Sequence, residues 1–363
     1  MKLRNVTNRL ARPSTICALL LGLLTPVPAP AQTPPVATPP YTVNVFAQRP
    51  QGISQPDSIV LWNDRVIVGF QNRVAKDGTD GKSSTIVEFA LDGTVKRTFS
   101  VPGHNDGLRL VDDDDLWALQ NEDANPNLVV IELTTGTSKL YKFPPTPHGG
   151  GYDDIVVKNG NIFLSASNPM NLNAQGVNTF PALVRATLSG DHVILDPVLN
   201  GNADVTDIAT GKSVTLNLLD PDSMTVDPRG NIVLDSQADS ELIFIRHPFT
   251  QQQTAGRLAL SSSVTGPMNA TITVDDTAFA PKPKAFLLVT DVGNMVDNGL
   301  IYRIDSPSFG FEPGVAYTAS DTLGLVGTLN LDNGFITPIV TGFDSARGLL
   351  FIAADGDNDS DDK

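Results

Sequence analysis

The 363-residue chain has a single cysteine, Cys17, and it falls in a segment marked for removal. Lys2, Arg4, Arg9 and Arg12 precede an apolar run from Ser14 to Leu24, and Ala29-Pro30-Ala31 follows. This is the pattern of a secretory signal peptide over residues 1–31, with cleavage expected after Ala31. Ile16 stands before Cys17 where a lipoprotein signal needs a small residue, so export in soluble form, secreted or periplasmic, is expected. Without Cys17 no disulfide is available, and the fold must be held by its core.

A second run of about 18 apolar residues is also missing, which argues against a membrane span. No long segment repeats apolar residues at i, i+3, i+4 and i+7, so no helix is expected. Gly-x-Ser-x-Gly, a phosphate-cradling loop and His-Glu-x-x-His are all absent, which disfavours a serine hydrolase, a nucleotide enzyme and a zincin. No nucleotide, flavin or haem is therefore expected.

Negative charge is abundant: the whole chain carries −15, and the 332 residues after Ala31 carry −19 because the leader holds four cations and no anion. Such a surface repels nucleic acid and attracts cations, and it also keeps a protein soluble. A monomer is expected.

Residues 32–40 are rich in Pro and read as a linker, with the folded part over 41–354 and an acidic tail over 355–363. The tail alternates carboxylates as calcium loops do, but it lacks the glutamate that closes such a loop and reads as solvated. Between these ends the chain shows apolar runs of four to eight residues, punctuated by Asp-Gly, Asn-Gly and Asn-Asp. These are the marks of strands joined by tight turns.

Six segments stack on one another. They begin at Asp57, Asp106, Asp153, Asp222, Asn269 and Asn333, and each runs through a turn into a strongly apolar strand such as Val66-Ile67-Val68 or Leu116-Trp117-Ala118-Leu119. The last two such strands are read as Phe286-Leu287-Leu288-Val289 and Leu349-Leu350-Phe351-Ile352. The starts are 49, 47, 69, 47 and 64 residues apart, a unit near 47 with insertions in the third and fifth copies. Four antiparallel strands need about this much chain, and radial repetition makes a six-bladed β-propeller of four-stranded antiparallel blades. After Ile352 too little chain remains for outer strands, so Tyr41 to Ala47 is expected to supply one and close the ring.

In a propeller the first strand of each blade lines the channel. Asp57, Asp106, Asp222, Asn269 and Asn333, with Asp153, would then ring one mouth. Two readings stand: carboxylates and amides that cap their own loops, or hard oxygen ligands of Ca²⁺ or another divalent cation.

Two loops break the repeat. His104-Asn105-Asp106 and His148-Gly149-Gly150-Gly151-Tyr152-Asp153-Asp154 each place a histidine near carboxylates. His148 and Asp153 are the candidates for general acid–base work, and His104, Asn105, Tyr152 and Asp154 for ligand contacts. A histidine in a polar loop is otherwise a surface residue. Gln71-Asn72, Gln120-Asn121-Glu122-Asp123, Asn168, Gln237 and Asp291, at the ends of the second strands, point into the same funnel only if strand parity allows.

Asp220-Pro221-Asp222-Ser223-Met224-Thr225-Val226-Asp227-Pro228-Arg229-Gly230-Asn231 resembles the blade start of the senescence-marker-protein/gluconolactonase propellers and the related NHL repeats, and Asn333-Gly334-Phe335 is similar to their Asn-Gly start. The resemblance implies a divalent cation at the channel mouth that polarises a lactone carbonyl, with Asp222 as its Asp ligand and Asn333 as an Asn ligand. The family's first-blade Glu is replaced by Gln55-Pro56-Asp57. Two functions remain: a binding propeller whose acidic face takes a small molecule, a glycan or a protein, and a metal-dependent hydrolase of lactones.

Overall fold

The computed structural model describes residues 33–266, 272–293 and 299–353. The signal peptide, Asn269 and the acidic tail lie outside them. Among the described residues the only helix is a 3-10 turn at Gln237–Asp239, and none is long and apolar enough to cross a membrane.

Four-stranded antiparallel units follow one another along the chain in a propeller-like arrangement. Pro56–Trp62, Arg65–Phe70, Ser83–Ala90 and Val95–Pro102 form the first, each strand pairing with the next. The second is Asn105–Leu110, Asp115–Gln120, Asn127–Glu132 and Thr137–Lys142. The third is Ile155–Lys158, Asn161–Ser165, Pro181–Ser189 and His192–Asn200, tied to the second by the parallel pair Lys142 and His192. The fourth is Pro221–Val226, Ile232–Ser236, Glu241–Arg246 and Thr254–Ala259. Part of the insertion expected in the third copy becomes the hairpin Asp204–Asp207/Ser213–Thr215, which extends the outer edge of the fourth unit.

The last two units are interleaved, which corrects the linear reading. Asp276–Phe279 is the inner strand of a unit completed by Ala316–Ser320, Leu325–Leu329 and Phe335–Thr341. Between them the chain leaves to lay down Ala285–Asp291 and Leu300–Asp305, the middle strands of the next unit. That unit has Ala346–Ala353 inside and Thr42–Gln48 outside. The run 349–352 is therefore in an inner strand, not a second one, and 286–289 belongs to the sixth unit, not the fifth. Closure of the last unit by the N-terminal strand holds as expected. The Pro-rich segment is not wholly a linker, because Val36–Ala37 pairs with Val340 and Thr341.

The long apolar runs have a simple cause. Side chains of a strand alternate between two faces, and here both faces are buried against neighbouring sheets. Val66, Val68 and Phe70 enter one core with Phe286 and Leu288, while Ile67 enters another with Leu108 and Leu116. Such cores lie between each pair of successive units, and at about 1.5–3 kcal/mol per buried aliphatic or aromatic side chain they hold a fold without disulfides. The inner strands neighbour one another in order, and Ala346–Ala353 returns beside Pro56–Trp62.

Candidate functional site

The inner strands begin with a shared irregularity. Pairing skips two residues at Asp57-Ser58, Asp106-Gly107, Asp222-Ser223 and Arg347-Gly348. Asp153-Asp154 and Asp275-Asp276 stand at the corresponding entries of the third and fifth units. In four of these six pairs the second residue is Ser or Gly, and at the glycines the next backbone presses in: a Cβ on Gly107 would lie 2.3 Å from the Asp153 carbonyl oxygen, and one on Gly348 2.5 Å from that of Asp57. The first residues, Asp57, Asp106, Asp153, Asp222, Asp275 and Arg347, make one cluster at the channel mouth.

Arg347 closes it. Its Nη1 lies 3.3 Å from Asp57 Oδ2 and 3.2 Å from Asp275 Oδ1. Gln71 donates from Nε2 to Asp57 and, at 2.9 Å, to Asp106 Oδ1, while Gln237 Nε2 donates to Asp275 at 3.0 Å. Burial raises the Asp57 carboxyl well above the ordinary range despite Arg347, and raises Asp153 and Asp222, where neighbouring carboxylates add to the effect. Asp275 is pushed to about 6 by burial, with Arg347 opposing.

Beside the ring, within the second unit, His104, Asp106 and Glu122 bring one ligand atom each within 4.8 Å of one another, all three side chains buried. Burial and the nearby Asp106 raise Glu122, and its Oε1 pairs with the Lys76 ammonium. His104 donates from Nδ1 to the Val74 carbonyl at 2.8 Å, so its Nε2 carries the free lone pair. That Nε2 is buried without a hydrogen-bond partner, 3.8 Å from Glu122 Oε1. Desolvation lowers the imidazole's pKa against the pull of Glu122. Asp153 Oδ2 is likewise buried and unpartnered.

A cavity of about 240 Å³ opens here, lined by Lys76, Glu122, Asp123, Asp220, Asp222 and Arg347 together with Asn168, Gln237, Leu219 and Ala238. Asp220 is pushed to about 6, chiefly by burial and then by Glu122.

The other expected residues lie elsewhere. His148 does not reach the ring: its Nε2 donates to the Gly151 carbonyl at 2.9 Å, and its ring meets Tyr152 edge-on at 5.5 Å. Tyr152 is buried against Phe143 as core. Gly150 and Gly151 admit backbone, not ligand: a Cβ on Gly150 would lie 2.1 Å from the Ser167 carbonyl oxygen, and one on Gly151 2.4 Å from that of Asn121 and 2.5 Å from that of Glu122. Asn105 is fully buried and donates to the Leu119 carbonyl at 2.9 Å. Asp154 Oδ2 accepts from Met224 N at 2.7 Å, latching the third inner strand to the fourth. Asp276 repeats this latch on Leu349 N at 2.7 Å. Asn333 sits on an exposed outer turn, bonding Phe335 N at 3.0 Å, because Asn-Gly with Gly334 at φ 72° is hairpin chemistry. The Asn ligand implied by the family resemblance is thus missing from the mouth, and the first-blade Glu is missing from the sequence.

Glu122 was visible only as one residue of a polar strand end. Lys76, Asp275 and Arg347 were missed, though Asp275-Asp276 matches Asp153-Asp154, and Arg347-Gly348-Leu349 matches Asp106-Gly107-Leu108 with the charge reversed.

No family model and no curated protein matches the chain. Among solved structures it is similar to virginiamycin B lyase from Staphylococcus aureus, at 11% identity over 87% of this chain and 89% of that one with a TM-score of 0.43. It is similar to the periplasmic gluconolactonase of Pseudomonas aeruginosa, at 13% identity over 86% and 99% with a TM-score of 0.41. A β-propeller domain from Myceliophteria thermophila gives 9% over 83% and 90% at 0.45.

Proposed function

We propose that the chain is an exported six-bladed β-propeller whose six units are its blades, and that it binds a small polar molecule, or the end of a glycan, in the cavity at the channel mouth. The observation that carries this reading is the lining: of ten residues around about 240 Å³, only Leu219 and Ala238 are apolar. Charges of both signs and two amides face a space smaller than the roughly 300–1,000 Å³ typical of drug-sized ligands. That suits a hydroxyl-rich ligand of few atoms better than a protein partner. The neighbouring carboxylates and His104 also admit a divalent cation.

The test is a thermal-shift panel of monosaccharides, aldonolactones and amino acids, on the wild type and Asp222→Asn. A rise in melting temperature lost in the variant supports the site by mass action. No response to any compound sinks it.

Hydrolysis of a lactone is the second reading, and Asp220 is the observation that favours it. A cavity-lining carboxyl near 6 is poised to exchange protons close to neutral pH. Lactone turnover that disappears in Asp220→Asn, with binding retained, would establish it.

A further inference from the structure

The channel mouth holds two different electrostatic arrangements. On the ring Arg347 is a resident cation, paired with both Asp57 and Asp275. Its charge offsets theirs and disfavours a second cation between them. Where ring residue Asp106 meets His104 and Glu122 of the second unit, the compensation is partial. Glu122 pairs with Lys76, whose side chain is half exposed at 52%. Yet His104 Nε2, in a residue only 3% exposed, is aimed at Glu122 without a hydrogen-bond partner. A buried acceptor left bare costs stability unless something fills it.

We propose that His104 Nε2, Asp106 and Glu122 hold a first-row transition-metal ion of the Zn²⁺ or Mn²⁺ class in preference to Ca²⁺, and that this ion displaces Lys76 from Glu122. The inference rests on the reading of the channel mouth as the ligand-binding face.

Three features support it. One nitrogen and two oxygens form a donor set suited to Zn²⁺ or Mn²⁺, whereas Ca²⁺ takes six to eight oxygens. The three ligand atoms lie within 4.8 Å of one another, and donors on one tetrahedral ion with bonds of about 2.1 Å stand about 3.4 Å apart, so an inward side-chain movement of up to about 1.4 Å closes the site. The supports are also in place: the Val74 carbonyl fixes the His104 tautomer with Nε2 bare, and Gln71 holds the Asp106 carboxylate through Oδ1. Such outer partners orient metal ligands. The Asp153 carboxyl of the third unit, close enough to feel both Asp106 and Glu122, has a buried Oδ2 without a hydrogen-bond partner.

The experiment is titration of the metal-free protein with Zn²⁺, Mn²⁺ and Ca²⁺ by calorimetry, with the Co²⁺ absorption spectrum as an independent readout. Zn²⁺ is expected to bind more tightly than Ca²⁺, and Glu122→Gln, which keeps the side chain's shape, and His104→Ala to weaken Zn²⁺ by about 100-fold. Gln71→Leu is expected to weaken it about tenfold, and Lys76→Met to strengthen it, because the competing ammonium is gone. Ca²⁺ binding as tight as Zn²⁺, or Zn²⁺ binding unchanged in both His104→Ala and Glu122→Gln, overturns the site. Weaker Zn²⁺ binding in Lys76→Met overturns the displacement. Repeating the sugar panel in EDTA separates the two readings: a sugar-dependent shift without metal keeps the ligand cavity even if the titrations fail, and Zn²⁺ binding without any sugar shift leaves the reverse.

Discussion

His104 and His148 stand in loops that read alike, each a histidine a few residues ahead of an inner-strand Asp, and the fold uses them in opposite ways. His148 spends its Nε2 proton on the Gly151 carbonyl and packs on Tyr152, so the imidazole ties a loop together. His104 spends its Nδ1 proton on Val74 and leaves Nε2 bare beside two carboxylates. Which nitrogen finds a backbone carbonyl separates a structural histidine from a ligand. The two loops are also coupled, because the glycine-rich turn after His148 seats against the Asn121 and Glu122 carbonyls and so helps to place Glu122.

Three measurements break or sharpen that comparison. The largest effect is expected for Gly151→Ala, whose Cβ meets two backbone oxygens that no rotamer can move. A loss of about 3 kcal/mol in urea-unfolding free energy is expected, as for overpacking of a filled site. A loss below half of that would show that the two loops are not rigidly seated on each other.

His148→Ala comes next. Removing a buried ring and its hydrogen bond is expected to cost about 2 kcal/mol, while leaving Zn²⁺ affinity at the wild-type value. Weakened Zn²⁺ binding in this variant would mean that His148 acts on the metal cluster and that the distinction between the loops fails.

The smallest effect is a pH dependence of opposite sign at the two kinds of group. Asp220 and Asp275 are raised to about 6 in the fold, above the value of an exposed carboxylate, so the native state binds more protons. Their contribution is fully present below about 4 and is lost as pH rises through about 6. Metal-free protein should therefore gain roughly 1 kcal/mol per group between pH 7 and pH 5. Both histidines are depressed by burial, so each works against stability as pH falls below its unfolded value. Replacing Asp220 and Asp275 together by Asn should reduce the acid gain and leave the histidines' opposing slope more visible. An unchanged profile would place the proton uptake elsewhere.

Much of this is legible in the sequence itself. The repeat of apolar runs, the tight turns at Asp92-Gly93 and Asn159-Gly160, and the acidic entries at Asp57, Asp106, Asp153 and Asp222 follow from local chemistry. Turn type and side-chain period act over a few residues, and a strand buried on both faces needs an unbroken apolar run. The closing strand Thr42–Gln48 was legible too, because the count of strands left one unit short at the C-terminus.

Where the linear reading failed, the decisive contact was remote in sequence. Asn333-Gly334 carries the same letters as a blade start but is a hairpin, and only the pairing of Leu325–Leu329 with Phe335–Thr341 shows it. The middle strands of the sixth unit are laid down between the first and second strands of the fifth, so no fixed spacing leads to Asp275 or to Arg347. Composition and period determined an all-β chain of repeated four-stranded units with acidic inner-strand entries. Tertiary structure alone decided which acids meet Arg347, which position of the ring carries that arginine, and which histidine keeps a free lone pair, because those outcomes depend on distances of a few ångströms between residues tens or hundreds apart in the chain.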